Sequence, residues 1–319
     1  MRAGLFVCIG LYAVLLGGCS LFAPQYVELR RALPPGLPLS TDLADTPYFP
    51  QTEHYCGPAA LAMVLNHAGA KVTQPQLINE VFLPGRQGTL QVEMLAAARR
   101  HGMVAYVLEP MLGNVLLEIA AGSPVISLEN HGVPMLPTWH YAVAIGFDIA
   151  RGEILRHSGE RPRSTQPLPV FEHFWAKAGR WAMVATPPDR VPVTATEPRY
   201  AEAVVALEKA GQPQRAALAY DAMVKRWPTS LVAWMGRGNA AHARGDLAAA
   251  EAAFREAVRH HPQAAAAHNN LAQTLLDLGR IDAARAAAEQ AVKLGGPLAA
   301  RAQETLAAIA AMRKKQGAP

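Results

Sequence analysis

Gln51-Thr52-Glu53-His54-Tyr55-Cys56-Gly57-Pro58 runs directly into Ala59-Ala60-Leu61-Ala62-Met63-Val64-Leu65-Asn66. The apolar run behind a proline reads as a buried helix, since proline suits a first helical turn where its missing N–H has no partner anyway. Cys56 then stands at or just before the helix N-terminus. Partial positive charge there favours the thiolate, the form a nucleophilic cysteine needs. Gly57 leaves room for a substrate to approach. Gln51 offers a side-chain N–H to a developing oxyanion.

A general base has to come from elsewhere. Trp139-His140-Tyr141-Ala142-Val143-Ala144-Ile145-Gly146-Phe147-Asp148 reads as a strand with His140 at its start. A turn over 148–152 and a second strand, 153–158, complete a hairpin. With Phe147 opposite Glu153, cross-strand partners sum to 300, which sets Ala142 against Ser158 and His140 against Glu160. Asp148 then lies about 26 Å from His140 at ~3.3 Å per residue. It caps its own turn instead. On the face shared with His140 the candidates for orienting the imidazole are Ser158 and Glu160, and a one-residue slip in register would substitute His157.

The pattern Gln-x4-Cys-Gly-Pro-Ala, followed by His-Tyr-Ala-Val-x-x-Gly-Phe-Asp, resembles the bacteriocin-processing, double-glycine-type cysteine peptidases, a papain-like family. The likeness spans roughly residues 46–187, including Gly88-Thr89 ahead of a helix and a closing strand after Trp181. It implies an α+β papain-like domain with Cys56 as nucleophile, His140 as base and Gln51 as oxyanion residue. The implied reaction is peptide-bond cleavage, usually after Gly-Gly in a leader peptide. Two features depart from the family. Its Asp-Pro is replaced here by Arg156-His157-Ser158-Gly159, and its familiar members are fused to an export transporter.

The N-terminus bears on location. Arg2 precedes an apolar run, Leu5 to Leu16, that is too short for a comfortable membrane span of about 20 residues. Residues 1–18 read as a secretory signal. The ending Leu16-Gly17-Gly18-Cys19 resembles a bacterial lipobox, which implies acylation of Cys19 and a lipid anchor in the membrane. The protein is then expected to face the periplasm, at the outer membrane. Cys8 leaves with the signal, so Cys56 is the one free thiol of the 3 cysteines. Residues 19–48, rich in proline, read as a tether to a first domain at 49–187. A linker follows at 188–196.

Beyond Pro198 the composition turns to Ala, Leu, Arg and Glu. Gly211, Gly245 and Gly279 recur every 34 residues, as do Ala216, Ala250 and Ala284. That period resembles the tetratricopeptide repeat. It implies an all-α solenoid over 197–319, with repeats at about 197–230, 231–264 and 265–298 and a capping helix. Its concave groove is expected to hold a protein partner or the substrate.

The bulk properties narrow the function classes. At 319 residues and 51% hydrophobic, the chain has ample apolar surface to bury. A net charge of +5 without Lys/Arg runs does not suggest nucleic acid. No spacing suggests a metal or cofactor. The expected function is a membrane-anchored cysteine peptidase acting on a peptide or protein. Two alternatives stand beside it: a peptidase-fold binding or scaffold lipoprotein, and a cell-wall peptide amidase or transferase.

Overall fold

The computed structural model describes residues 23–51, 54–296 and 299–316. The signal segment and Cys19 lie outside the described residues. The chain divides at Thr196/Glu197 into two units.

The first unit begins earlier than the proline content suggests. The expected tether holds a helix, α1 (Pro24–Arg31), and a strand, β1 (Ser40–Asp42). Pro24 opens α1, and the buried carboxylate of Glu172 accepts the backbone N–H groups of Gln25 and Tyr26 at 3.0 and 2.7 Å. Those donors would otherwise be orphaned at the helix start. Gln25 also binds Pro110 O and the Leu112 N–H. The segment is part of the domain.

The chain continues through α2 (Cys56–His67), α3 (Gln74–Val81), α4 (Gln91–Arg100), β2 (Val104–Val107), α5 (Leu112–Ala120) and β3 (Val125–Asn130). It then runs through β4 (Trp139–Asp148), β5 (Glu153–Ser158), β6 (Arg161–Pro167), α6 (Leu168–Ala176) and β7 (Ala182–Thr186). Among the described residues these strands form one antiparallel sheet ordered β2-β7-β3-β4-β5-β6. β1 pairs with the far end of β4. Every residue of α2 from Gly57 to Leu65 is buried. Leu61, Met63 and Leu65 are fully covered, each worth about 1.5–3 kcal/mol of transfer free energy. Tyr141, Val143 and Ile145 of β4 join α2 in one core.

The hairpin register follows the expected sum of 300 near the site, with Val143 opposite His157 and Ala144 opposite Arg156. A bulge between Ala144 and Gly146 then shifts the partners by one, so Phe147 meets Ile154 rather than Glu153. Gly146 is required there, because a Cβ would stand 2.5 Å from Thr41 O of β1.

The second unit is helical throughout its described residues. Its helices pair as α7 (Glu197–Lys209) with α8 (Pro213–Arg226), α9 (Leu231–Ala243) with α10 (Leu247–His260), and α11 (Ala265–Asp277) with α12 (Ile281–Leu294). α13 (Ala299–Gln316) follows. The 34-residue glycines sit at the turn inside each pair with φ of 80°, 79° and 74°. That left-handed conformation favours glycine, which accounts for the spacing. Close packing sets another position: a Cβ on Gly238 would meet the Phe254 ring at 2.5 Å.

Candidate active site

Three elements converge on Gln51. Its backbone N–H donates to Gly159 O at 3.0 Å, and its side-chain Oε1 accepts the Gly159 N–H at 2.6 Å. Its Nε2 donates to Tyr141 O at 3.1 Å and, more weakly, to Cys56 O at 3.4 Å. One buried side chain thereby ties the start of α2, the residue after His140 and the residue after Ser158. This revises its expected role. The amide is committed to two carbonyls, so Gln51 acts here as a clamp rather than as an open oxyanion donor.

Cys56 is the first residue of α2 and is half-buried. Burial pushes its thiol above the ordinary value, against the opposing pull of the N–H groups of Tyr141, Gly57 and Cys56 itself. The helix start was expected to lower the thiol pKa, but desolvation by the surrounding core outweighs it. The Cys56 and Gly57 N–H groups sit in the first turn, without intrahelical partners. They are donors that can serve a developing oxyanion. The room expected beside Gly57 is filled, since a Cβ there would lie 2.6 Å from the Thr89 Cβ. Gly57 exists to let Thr89 pack.

His140 is the second residue of β4 and hydrogen-bonds through Nε2 to Ser158 Oγ at 2.9 Å. That leaves Nδ1 as the ring nitrogen to serve a thiol. Among the described residues no hydrogen bond joins His140 to Cys56, and such contacts often tighten only with substrate bound. Burial drives the imidazole pKa down to about 4, with Glu129 opposing and His131 and Arg156 reinforcing the shift. The resting pair is therefore thiol and neutral imidazole. Asp148 accepts the Arg151 N–H at 2.9 Å, inside its own turn.

Sequence reasoning missed a charged cluster behind His140. Glu129 is fully buried and sits 2.5 Å from Arg156 Nη1 and 3.0 Å from His131 Nε2. A signal was present, in that Glu129 directly follows the largely apolar stretch Val125-Ile126-Ser127-Leu128 of a strand. Among the described residues no group of three His, Cys, Asp or Glu side chains could hold a metal ion.

Residues 43–183 match the Peptidase_C39 like family, and residues 200–265 and 241–309 match two tetratricopeptide repeat models. The chain joins a C39-like peptidase domain to tetratricopeptide repeats. No curated protein matches it. Among solved structures it is similar to a protein described as a C39-like peptidase from Bacillus anthracis, at 17% identity and a TM-score of 0.40. That likeness covers 46% of this chain and 97% of the other. It is also similar to the Yersinia enterocolitica type III secretion translocator chaperone SycD, at 18% identity and a TM-score of 0.34, covering 36% and 83%. A third is the TPR2B domain of yeast Sti1, at 16% identity and 0.35, covering 37% and 99%.

The repeat unit carries its own cavity, of about 380 Å³, lined in part by Asn239, His242, Asn270, Gln273 and Arg301. Asn270 Nδ2 donates to Asn239 Oδ1 at 2.9 Å, and His242 pairs with Asp277 at 2.8 Å. The lining is polar and suits hydrogen bonding to a peptide chain.

Proposed function

We propose that the protein is a cysteine peptidase of the cell envelope, with Cys56 as nucleophile and His140 as general base. The observation that carries this reading is the Gln51 clamp, which holds the start of the Cys56 helix and the neighbours of His140 and Ser158 together. In the proposed reaction the Cys56 proton passes to His140 and the sulfur attacks a peptide carbonyl carbon. The first-turn N–H groups stabilise the oxyanion, and His140 returns the proton to the departing amine. Water, deprotonated by His140, then cleaves the thioester and frees the thiol.

The repeat cavity would hold the substrate or a partner protein through its amide side chains. Leu16-Gly17-Gly18-Cys19 supports a lipid anchor at Cys19. No helix among the described residues is long and apolar enough to cross a membrane. Anchoring is tested by Cys19→Ala, which should abolish palmitate labelling and membrane partitioning; retained labelling contradicts it. A binding-module reading draws on one observation: the group hydrogen-bonded to His140 Nε2 is the Ser158 hydroxyl and not a carboxylate. Digestion of a peptide library separates the two. New termini with the wild type and none with Cys56→Ala support the peptidase, whereas identical digests support the binding module.

A further inference from the structure

Glu129 faces His140 directly across the β3–β4 ladder, so both side chains leave the same face of the sheet. Arg156, set opposite Ala144 on β5, reaches the same face and holds Glu129 Oε1 at 2.5 Å. The other oxygen, Oε2, is buried without a well-aligned hydrogen bond and lies 3.0 Å from His131 Nε2. The His131 ring is edge-on to His140, with centroids 5.7 Å apart and planes at 75°. Stacking on Phe174 at 4.3 Å fixes that ring. Burial would raise the Glu129 pKa, but the close approach of His131 and Arg156 outweighs it and keeps the carboxylate ionised. A structural ion pair would need Glu129 and Arg156 alone. It would not need to face the catalytic imidazole or to set its other oxygen beside a second imidazole.

We propose that Glu129 is a positioning residue for His140: the carboxylate that stabilises its imidazolium form, supplied from β3 in place of the one that β5 lacks. This rests on the peptidase reading. When the proton leaves Cys56 Sγ for His140, a positive charge appears in a buried, low-dielectric place. Ser158 can hold the ring but carries no charge to offset it. Glu129 does. The other groups around the ring are His131 beside β3 and Arg156 on β5, both of which oppose its charging. Lys177 lies one ring further out, over Phe174 at 5.3 Å. From α2 comes the Cys56 thiol, next along the strand at Tyr141.

Two readouts test the proposal: the His140 titration midpoint by histidine-selective NMR, and the rate of Cys56 alkylation by iodoacetamide at pH 7. In alkylation the sulfur–carbon bond forms, iodide leaves and the thiol proton goes to His140. Glu129→Gln should lower the midpoint by about one pH unit and slow alkylation about tenfold, the scale set by one nearby opposite charge. A residue with only a structural role would change the melting temperature and leave the midpoint in place. Because Glu129→Gln strands Arg156, the paired variant Glu129→Gln/Arg156→Met is made beside it. Its midpoint should also fall, though less, since the carboxylate has the stronger influence on the ring. An unchanged or raised midpoint and an unchanged rate in the folded variants overturn the proposal. The control is His140→Ala. If that variant alkylates as fast as the parent, the peptidase reading falls. If it slows while the Glu129 variants match the parent, only the role of Glu129 falls.

Discussion

His140 Nε2 and Ser158 Oγ stand 2.9 Å apart on neighbouring strands. Ser158 is thus the residue that holds the imidazole ring in place from β5. A hydroxyl orients the ring without charging it, and burial keeps the resting imidazole neutral, its pKa pushed down to about 4.

Ser158→Ala should therefore reduce kcat/KM only modestly, by roughly three- to tenfold, the scale of one neutral hydrogen bond of about 1 kcal/mol. Asp148→Asn should leave it unchanged, because the Asp148 carboxylate serves the Arg151 N–H of its own turn. Steady-state kinetics on one cleaved peptide compares the two. Loss of activity in Asp148→Asn with an intact circular dichroism spectrum would contradict this geometry.

Burial of neutral His140 also makes the fold acid-sensitive. The unfolded chain takes up the proton near pH 6.5, whereas the folded chain refuses it until about 4. Stability is therefore lost as pH falls from 6.5 to 4, by about 3 kcal/mol from this residue. His157 is depressed by burial as well and acts in the same sense. Urea midpoints should drop across that window, and His140→Gln should remove part of the drop.

The raised Cys56 thiol predicts an alkylation midpoint above the ordinary thiol range, contrary to what a helix N-terminus alone suggests. Rates of iodoacetamide labelling against pH provide the check. A midpoint well below 8.5, the usual value for a free thiol, would mean a preformed thiolate and a different resting charge state.

Gln51→Ala removes donors and an acceptor that join three elements. The expected loss is about 2–3 kcal/mol, from roughly 1 kcal/mol per bond. A residue serving solely as an oxyanion donor would lower kcat and leave the melting temperature in place. Calorimetry alongside kinetics distinguishes the two.

In the repeat unit, Gly238→Ala drives a Cβ to 2.5 Å from the Phe254 ring. Overpacking of that kind costs about 1–3 kcal/mol. A fragment spanning 197–319 should fold alone, since each repeat contacts its neighbours, and the substitution should lower its melting temperature. An unfolded parent fragment would show that the array depends on the first unit.

What the sequence disclosed follows from what repeats or alternates in it. The 34-residue glycines mark positive-φ turns, and the apolar run after Pro58 marks a buried helix, so both were legible. The hairpin register near Ser158 was legible too, since alternation fixes which side chains share a face. Its bulge was not, because the cause is the backbone of β1 pressing on Gly146 from another part of the chain. α1 was hidden for a similar reason: its cap is the Glu172 carboxylate, 146 residues away from Tyr26. Gln51 was legible as a residue and misread as a role, since its partners are main-chain atoms of Tyr141, Cys56 and Gly159.

The most direct measurement is covalent labelling by a peptidyl chloromethyl ketone, mapped by tandem mass spectrometry. A nucleophile activated by His140 should yield one adduct, on Cys56, that forms at least about tenfold more slowly in His140→Ala, the lower range for loss of a general base. Labelling elsewhere, or equal rates at Cys56 with and without His140, would contradict the assignment of the pair.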